Sequence, residues 1–396
     1  MVEVYEELRR IRRDLHQIPE LAGAESQTRG YIERYILQHT RQIRIDHHSE
    51  KGLIACYDGG PQLPTVAFRA EMDGLPIQDA KEVAYKSRHE GIHHACGHDA
   101  HMAIVLQLLR WVDESAPRVN LIFIFQPAEE VWGGARELIP LLQGRNIAYM
   151  FALHVTPDLY PGYFSLRSGP ALAGCLTAEL ELELYAGHAA DRQDFMAVLA
   201  EVHAFQQSYN DGRRLCRITH VETNGYYNVI PDRLQLFLSF RSADEEVNRN
   251  GYGQLLRKLG GAEAVRGIRS SRVISEYPAY ANDPILTDRI QGLLGKRFGT
   301  GYVLESPFLF SSDDFAFYAR DLPDVRTCYY FIGAYIREHN AVHTAQFDIG
   351  ETALLYGYES FRAVIRMFEQ AGQRAATPPN SEDRSDKDES ISPLHI

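Results

Sequence analysis

Asn120-Leu-Ile-Phe-Ile-Phe-Gln126, followed at once by Pro127-Ala128-Glu129-Glu130, is the stretch whose reading decides the architecture. An unbroken apolar run with no polar alternation has no wet face, so the strand it forms is buried on both sides, as in a sheet covered by helices. Working outward, Thr65-Val-Ala-Phe-Arg-Ala-Glu-Met72 and Tyr149-Met-Phe-Ala-Leu-His-Val155 have the same character. Helical signals alternate with them: a charged amphipathic opening helix in MVEVYEELRRIRRDLHQIPE and a helix from about Asp99 to Trp111. This alternation predicts an α/β domain built on a helix-covered mixed sheet.

From about Cys175 the pattern changes. Leu176-Thr-Ala-Glu-Leu-Glu-Leu-Glu-Leu184 alternates apolar and polar residues, the mark of a strand with one wet face. A helix from Asp194 to Tyr209 follows, then strands over 214–222 and 233–241, a helix near Asn248–Leu259 and a strand near Arg272–Tyr277. The order β-α-β-β-α-β predicts an inserted α+β domain of the split-βαβ, ferredoxin-like kind. After Asn282-Asp-Pro the buried-strand character returns in Cys328-Tyr-Tyr-Phe-Ile-Gly-Ala-Tyr335, and a closing helix runs from Thr352 to about Gln370. The expected division is therefore 1–172 with 281–372 as the larger domain, 173–280 as the insertion, and 373–396, rich in Ser, Asp and Pro, as a disordered tail.

At 396 residues the chain exceeds what one core usually serves, in keeping with two domains. No run approaches the length of a membrane span, and the opening residues lack a signal peptide's apolar stretch. Five scattered cysteines with no CxxC pair suit reduced thiols in the cytosol. A net charge of −12 without a Lys/Arg tract argues against nucleic acid as partner and leaves a small molecule as the expected one.

The chemistry concentrates in His93-His94-Ala95-Cys96-Gly97-His98-Asp99-Ala100-His101. Imidazole and thiolate suit zinc and related ions, and Cys96 and His98, two apart around a glycine, can converge on one site. The plain alternative is a polar loop that caps the following helix. Glu129 and Glu130 stand at the C-terminal edge of a buried strand, where ligands bind in open α/β sheets, and pleating sends the two carboxylates different ways. His154 ends another strand, and His343 lies in the loop after Tyr335. Asp73 closes a further strand, where a turn-starting role before Gly-Leu-Pro is the bland reading. It is the combination of strand ends that points to a metal site.

These motifs, from DLHQIPEL through RAEMDGLPI, HHACGHDAHM, FIFQPAEE, ALHV, GHAA and NVIPD to AVHT, resemble the aminoacylase and carboxypeptidase metallopeptidase family in its amidohydrolase branch. The resemblance implies that Cys96, His98, Glu130, His154 and His343 hold two divalent ions (Zn, Co, Mn or Ni), with the Cys96 sulfur bridging. It further implies that Glu129 is the general base, with Asp73 in the catalytic set. The insertion would be a lid and dimerisation module of a homodimer, with His188 and Asn228 binding substrate and the developing oxyanion. Within the branch the wording is similar to N-acetyldiaminopimelate deacetylases of the lysine pathway, with hippurate and N-acetylcysteine hydrolysis as alternatives. Arg241 in SFRSAD is a candidate for the substrate carboxylate, and equally a surface charge.

The chain departs from that pattern in places. Glu71 stands for an aspartate and reads as a spacer, Ala186-Gly187 replaces a glycine pair before His188, and Asp313 in SSDDF replaces a glutamate. Two rival readings stay open: Cys96 as a metal-free nucleophile beside a histidine, and a binding protein on the same scaffold without hydrolysis.

Overall fold

In a computed structural model of the chain, residues 1–46, 49–131, 133–191, 195–338 and 340–376 are described. They form two compact units: Met1–Ser168 with Asn282–Ser306 and the chain from Leu322 onward, and Gly169–Ala281 with Pro307–Asp321.

The first unit is built on an eight-stranded mixed sheet. Its spatial order is Arg44–Asp46, Leu53–Tyr57, Asn120–Gln126, Thr65–Glu71, Ile147–Thr156, Arg326–Gly333, Phe164–Leu166 and Val303–Glu305. The four central strands run parallel, and their neighbours Leu53–Tyr57 and Phe164–Leu166 run antiparallel to them. Every residue of Thr65–Glu71 is buried, and all but the first of Asn120–Gln126, as an apolar run without alternation requires. Phe68 fills the centre against Phe123, Phe151 and Phe361, the last with ring centroids 4.7 Å apart.

Helices Val2–His16, His98–Ser115 and Thr352–Ala376 pack on one another. A buried ionic staple ties them: Arg12 reaches Asp99 at 2.7 Å and Asp348 at 2.6 Å, and His16 Nδ1 lies 2.7 Å from the same Asp99 carboxylate. Because parallel strands end on one edge, the segments after Glu71 and Gln126, the end of Ile147–Thr156 and the loop after Gly333 all emerge there.

In the second unit, four antiparallel strands lie in the order Arg214–Thr223, Arg233–Ser242, Gly174–Leu184, Val265–Tyr277, with helices Met196–Tyr209 and Glu245–Gly260 between them in sequence. The alternation along Gly174–Leu184 resolves as expected: Leu176, Leu180, Leu182 and Leu184 enter the core with Val202, Phe205 and Leu255. Glu179 and Glu181 take the other face, where Glu179 pairs with Arg272 directly opposite.

Some boundaries differ from the sequence expectation. The last strand of the unit begins at Val265, not near Arg272, and its register slips between Val265/Gly267, Ile268/Ser270 and Val273/Ser275, which destroys the period-2 signal. The helix expected from Asp194 starts at Met196, and Asp194 lies outside the described residues. The final helix runs to Ala376, past Gln373 where a tail was expected to begin; 377–396 lie outside the described residues.

Candidate metal centre

Three backbone features shape the strand-end site. Gly97, just before helix His98–Ser115, has φ +97°, and a Cβ there would fall 2.3 Å from Val155 Cγ2, so only glycine lets Cys96 and His98 turn to the same side. Ala128 (φ 54°) and His343 (φ 60°) occupy the left-handed region without being glycine, a cost of order 1–3 kcal/mol each that surrounding bonds must offset. Ala128 N–H donates to Glu25 Oε1 at 2.8 Å, and His343 N–H donates to the Ala95 carbonyl at 2.8 Å.

Five expected ligands gather into two triads with one member in common. Cys96, His98 and His154 offer donor atoms within 4.8 Å of one another, as do Cys96, Glu130 and His343. Cys96 Sγ lies 3.4 Å from His154 Nε2 and 3.4 Å from His343 Nε2, and His343 Nε2 lies 3.1 Å from Glu130 Oε1. Glu129 forms a further group, within 4.8 Å, with His98 and Glu130.

The residues around these donors aim them. His98 Nδ1 donates to the Asp73 carbonyl at 2.8 Å, which turns Nε2 toward the centre, and that Nε2 is buried with no hydrogen-bond partner among the described residues. His154 Nδ1 donates to the Val155 carbonyl at 2.7 Å, freeing its own Nε2 toward Cys96. Asp73 does more than start a turn: its carboxylate accepts the Glu130 N–H at 3.0 Å, so one residue orients two donors. An orphaned imidazole nitrogen among sulfur, nitrogen and carboxylate donors fits a pair of borderline divalent ions.

The electrostatics agree. Burial pulls the His98 pKa down, yet Asp73, Glu71 and Glu130 outweigh it and lift the pKa to about 10. Burial lowers His154 to about 3, reinforced by His101, so it stays a neutral donor. Burial, with Glu130 and Glu129 nearby, pushes the Cys96 thiol well above its ordinary range. Burial opposes ionisation of Glu130, but His343 and His98 hold it below the usual carboxylate value. The pocket is anion-rich and attracts cations.

The other expected site residues belong to the second unit. His188 and Asn228 come together: Val229 pairs with His188 across a two-stranded ribbon, and Ala189 N–H donates to the Asn228 carbonyl at 3.1 Å. Arg241 is not beside them. It is the last residue but one of strand Arg233–Ser242, where its guanidinium donates to the Phe310 carbonyl at 2.8 Å and to Ser239 Oγ at 3.2 Å.

Sequence reasoning missed two residues. Glu71 is no spacer: it is fully buried, bonded to Arg69 and 2.8 Å from His101 Nδ1. The H-x-x-H spacing of His98 and His101 was the available signal, since residues three apart share a helix face.

Comparison with known proteins gives the family of the chain. Residues 67–367 match the profile of peptidase family M20/M25/M40. The chain is similar to the N-acetyldiaminopimelate deacetylase of Leuconostoc citreum, 29% identical over 385 residues and covering 91% of this chain and 96% of the relative. The enzyme of the same name from Enterococcus faecalis is also 29% identical over 385 residues, with 91% and 97% covered. Among solved structures, the YxeP protein of Bacillus subtilis, a dinuclear metal binding peptidase from the M20 family, superposes with a TM-score of 0.77 at 25% identity, over 93% of this chain and 99% of that one. No described helix is long and apolar enough to cross a membrane. Since the profile spans residues 67–367 of 396, the chain belongs to peptidase family M20/M25/M40 and is one of its metal-dependent amidohydrolases.

Proposed function

We propose that this chain hydrolyses the amide bond of an N-acyl amino acid, with N-acetyl-diaminopimelate as the preferred substrate. The observation that carries the reading is the pair of donor triads sharing Cys96, with Glu129 at their side. The relatives named N-acetyldiaminopimelate deacetylase support the choice of acyl group and amino acid.

Cys96, His98 and His154, and Cys96, Glu130 and His343, would hold two divalent ions, which when bound would supply Lewis acidity toward the amide carbonyl and acidify water. Glu129 takes the water's proton and returns it to the departing amine. Asp73 holds His98 and Glu130 in place for that step. His188 and Asn228 engage substrate and the oxyanion that builds as the carbonyl becomes tetrahedral, an interaction the planar amide uses less fully. Arg241 is assigned to the substrate carboxylate. Residues 173–280 act as lid and dimerisation module for a catalytic domain of 1–172 and 281–372, in a homodimer. A metal-free cysteine nucleophile is disfavoured because burial and two carboxylates keep the Cys96 thiol protonated, whereas such a nucleophile needs a depressed pKa.

The test is a panel of N-acyl amino acids, including N-acetyl-LL-diaminopimelate, N-acetylcysteine and hippurate, scored by kcat/KM with Zn²⁺, Co²⁺, Mn²⁺ or Ni²⁺. Release of diaminopimelate that EDTA abolishes and added metal restores is the expected result. Preference for benzoyl over acetyl compounds would move the assignment to hippurate hydrolysis, and no amine release from any member would end the enzymatic reading.

A further inference from the structure

The ligands and base leave three buried histidines of the same cluster, His93, His94 and His101, without a task, and His101 is the one that meets a ligand ring. His101 stands one helical turn after His98 and is 1% exposed, but both of its ring nitrogens are committed. Nε2 accepts the backbone N–H of Val155 at 3.0 Å, and Nδ1 lies 2.8 Å from Glu71 Oε2. A backbone N–H only donates, so Nε2 carries no proton; Nδ1 carries it and donates to Glu71. Glu71 is bonded in turn to Arg69, whose Nε donates to Gln126 at 3.0 Å.

Val155 needs that acceptor because strand Ile147–Thr156 has run out of neighbour on this side. Its last register pair with Thr65–Glu71 is Arg69↔Ala152. The carbonyl of the same Val155 receives the Nδ1–H of His154 at 2.7 Å. One residue, Val155, therefore hangs from His101 by its N–H and holds His154 by its C=O. The His101 ring also meets the His154 ring edge-on, with centroids 4.6 Å apart.

We infer that Arg69, Glu71 and His101 form a positioning array that acts through the Val155 backbone on His154, and so governs the Cys96–His98–His154 position but not the Cys96–Glu130–His343 position. Neither ring nitrogen of His101 is available to a metal; the residue sets where a ligand points. The inference rests on the metal reading above and assigns different control to its two halves.

Two substitutions separate the bonds of His101. His101→Gln places an amide oxygen near Nε2 to accept from Val155, whereas His101→Asn places an amide N–H near Nδ1 for Glu71 and leaves the Val155 N–H without its acceptor. Equilibrium dialysis against stepped free Co²⁺ and Zn²⁺, read by metal content per chain and by the Co²⁺ absorption spectrum, follows each position separately. The wild type is expected to take up two ions. His101→Asn should bind one of them about 10–100-fold more weakly with the other unchanged, and His101→Gln should stay near wild type. Circular dichroism and Tm establish that the variants are folded; should His101→Asn not fold, His101→Leu carries the same expectation. Wild-type affinity for both ions in the variant, or equal loss of both, overturns the inference. A wild-type chain that takes up no metal overturns the metal reading itself.

Discussion

Glu129 and Glu130 are adjacent and chemically identical, yet their surroundings differ. Glu130 is bound through its own N–H to Asp73 and through its carboxylate to the neighbourhood of His343 and His98, as a ligand is. Replacing Glu129 by Gln keeps the shape and removes the proposed base, so kcat should fall by about 10²–10⁴-fold. Metal content should stay at the wild-type level, and loss of metal together with activity would make Glu129 a ligand instead. The density of HHACGHDAH, with Cys96 and His98 two apart around a glycine, made the centre and one of its imidazoles legible in sequence. What spacing left open was the work of His93, His94 and His101; the structure places His93 Nε2 on the Thr344 carbonyl and His101 on Glu71. Glu71 was illegible because its role depends on Arg69 and His101, which only the strand edge and helix bring to it.

At the scale of elements, the helix His98–Ser115 is the part that builds the site, and both of its anchors can be tested. Gly97→Ala would put a methyl group 2.3 Å from Val155 Cγ2 at a φ of +97°, so the helix entry must shift. Overpacking of this kind costs about 1–3 kcal/mol, to be read as a lower urea midpoint together with reduced metal content. Arg12→Ala leaves the buried Asp99 carboxylate without its 2.7 Å guanidinium partner. Breaking a buried pair from one side costs about 3–5 kcal/mol, and an unchanged Tm would show the staple to be dispensable. Central strands were legible because burial on both faces writes itself as an apolar run. Helix Pro284–Phe298 was not, although Asp283 caps it by accepting the Leu286 N–H at 2.7 Å: Asn-Asp-Pro reads equally as a domain boundary and as a helix start.

For the whole molecule, acid should act in two stages. Burial lowers the His93 pKa from 6.5 to about 4. A depressed pKa contributes stability that is present above the unfolded value and lost as pH falls through the folded one, so a first decline is expected between pH 6.5 and 4. Asp348 is held below its ordinary range: burial opposes this, and Arg12 with Tyr85 overcomes it. By the same sign its contribution survives above the ordinary carboxylate value and disappears only in stronger acid. Urea titrations from pH 8 to pH 3 should therefore show a midpoint that falls first below neutrality and again below about pH 4, and a midpoint flat from pH 7 to pH 4 would remove His93 from the account. The two triads meet in a single sulfur, and that economy has a cost in redox chemistry. On the proposed metal reading, oxidation of Cys96 to a sulfinate by peroxide would alter the donor common to both triads, so one chemical event should release the pair together. Peroxide damage would then leave no half-loaded survivors, and loss of both ions should track the oxidation of that one sulfur.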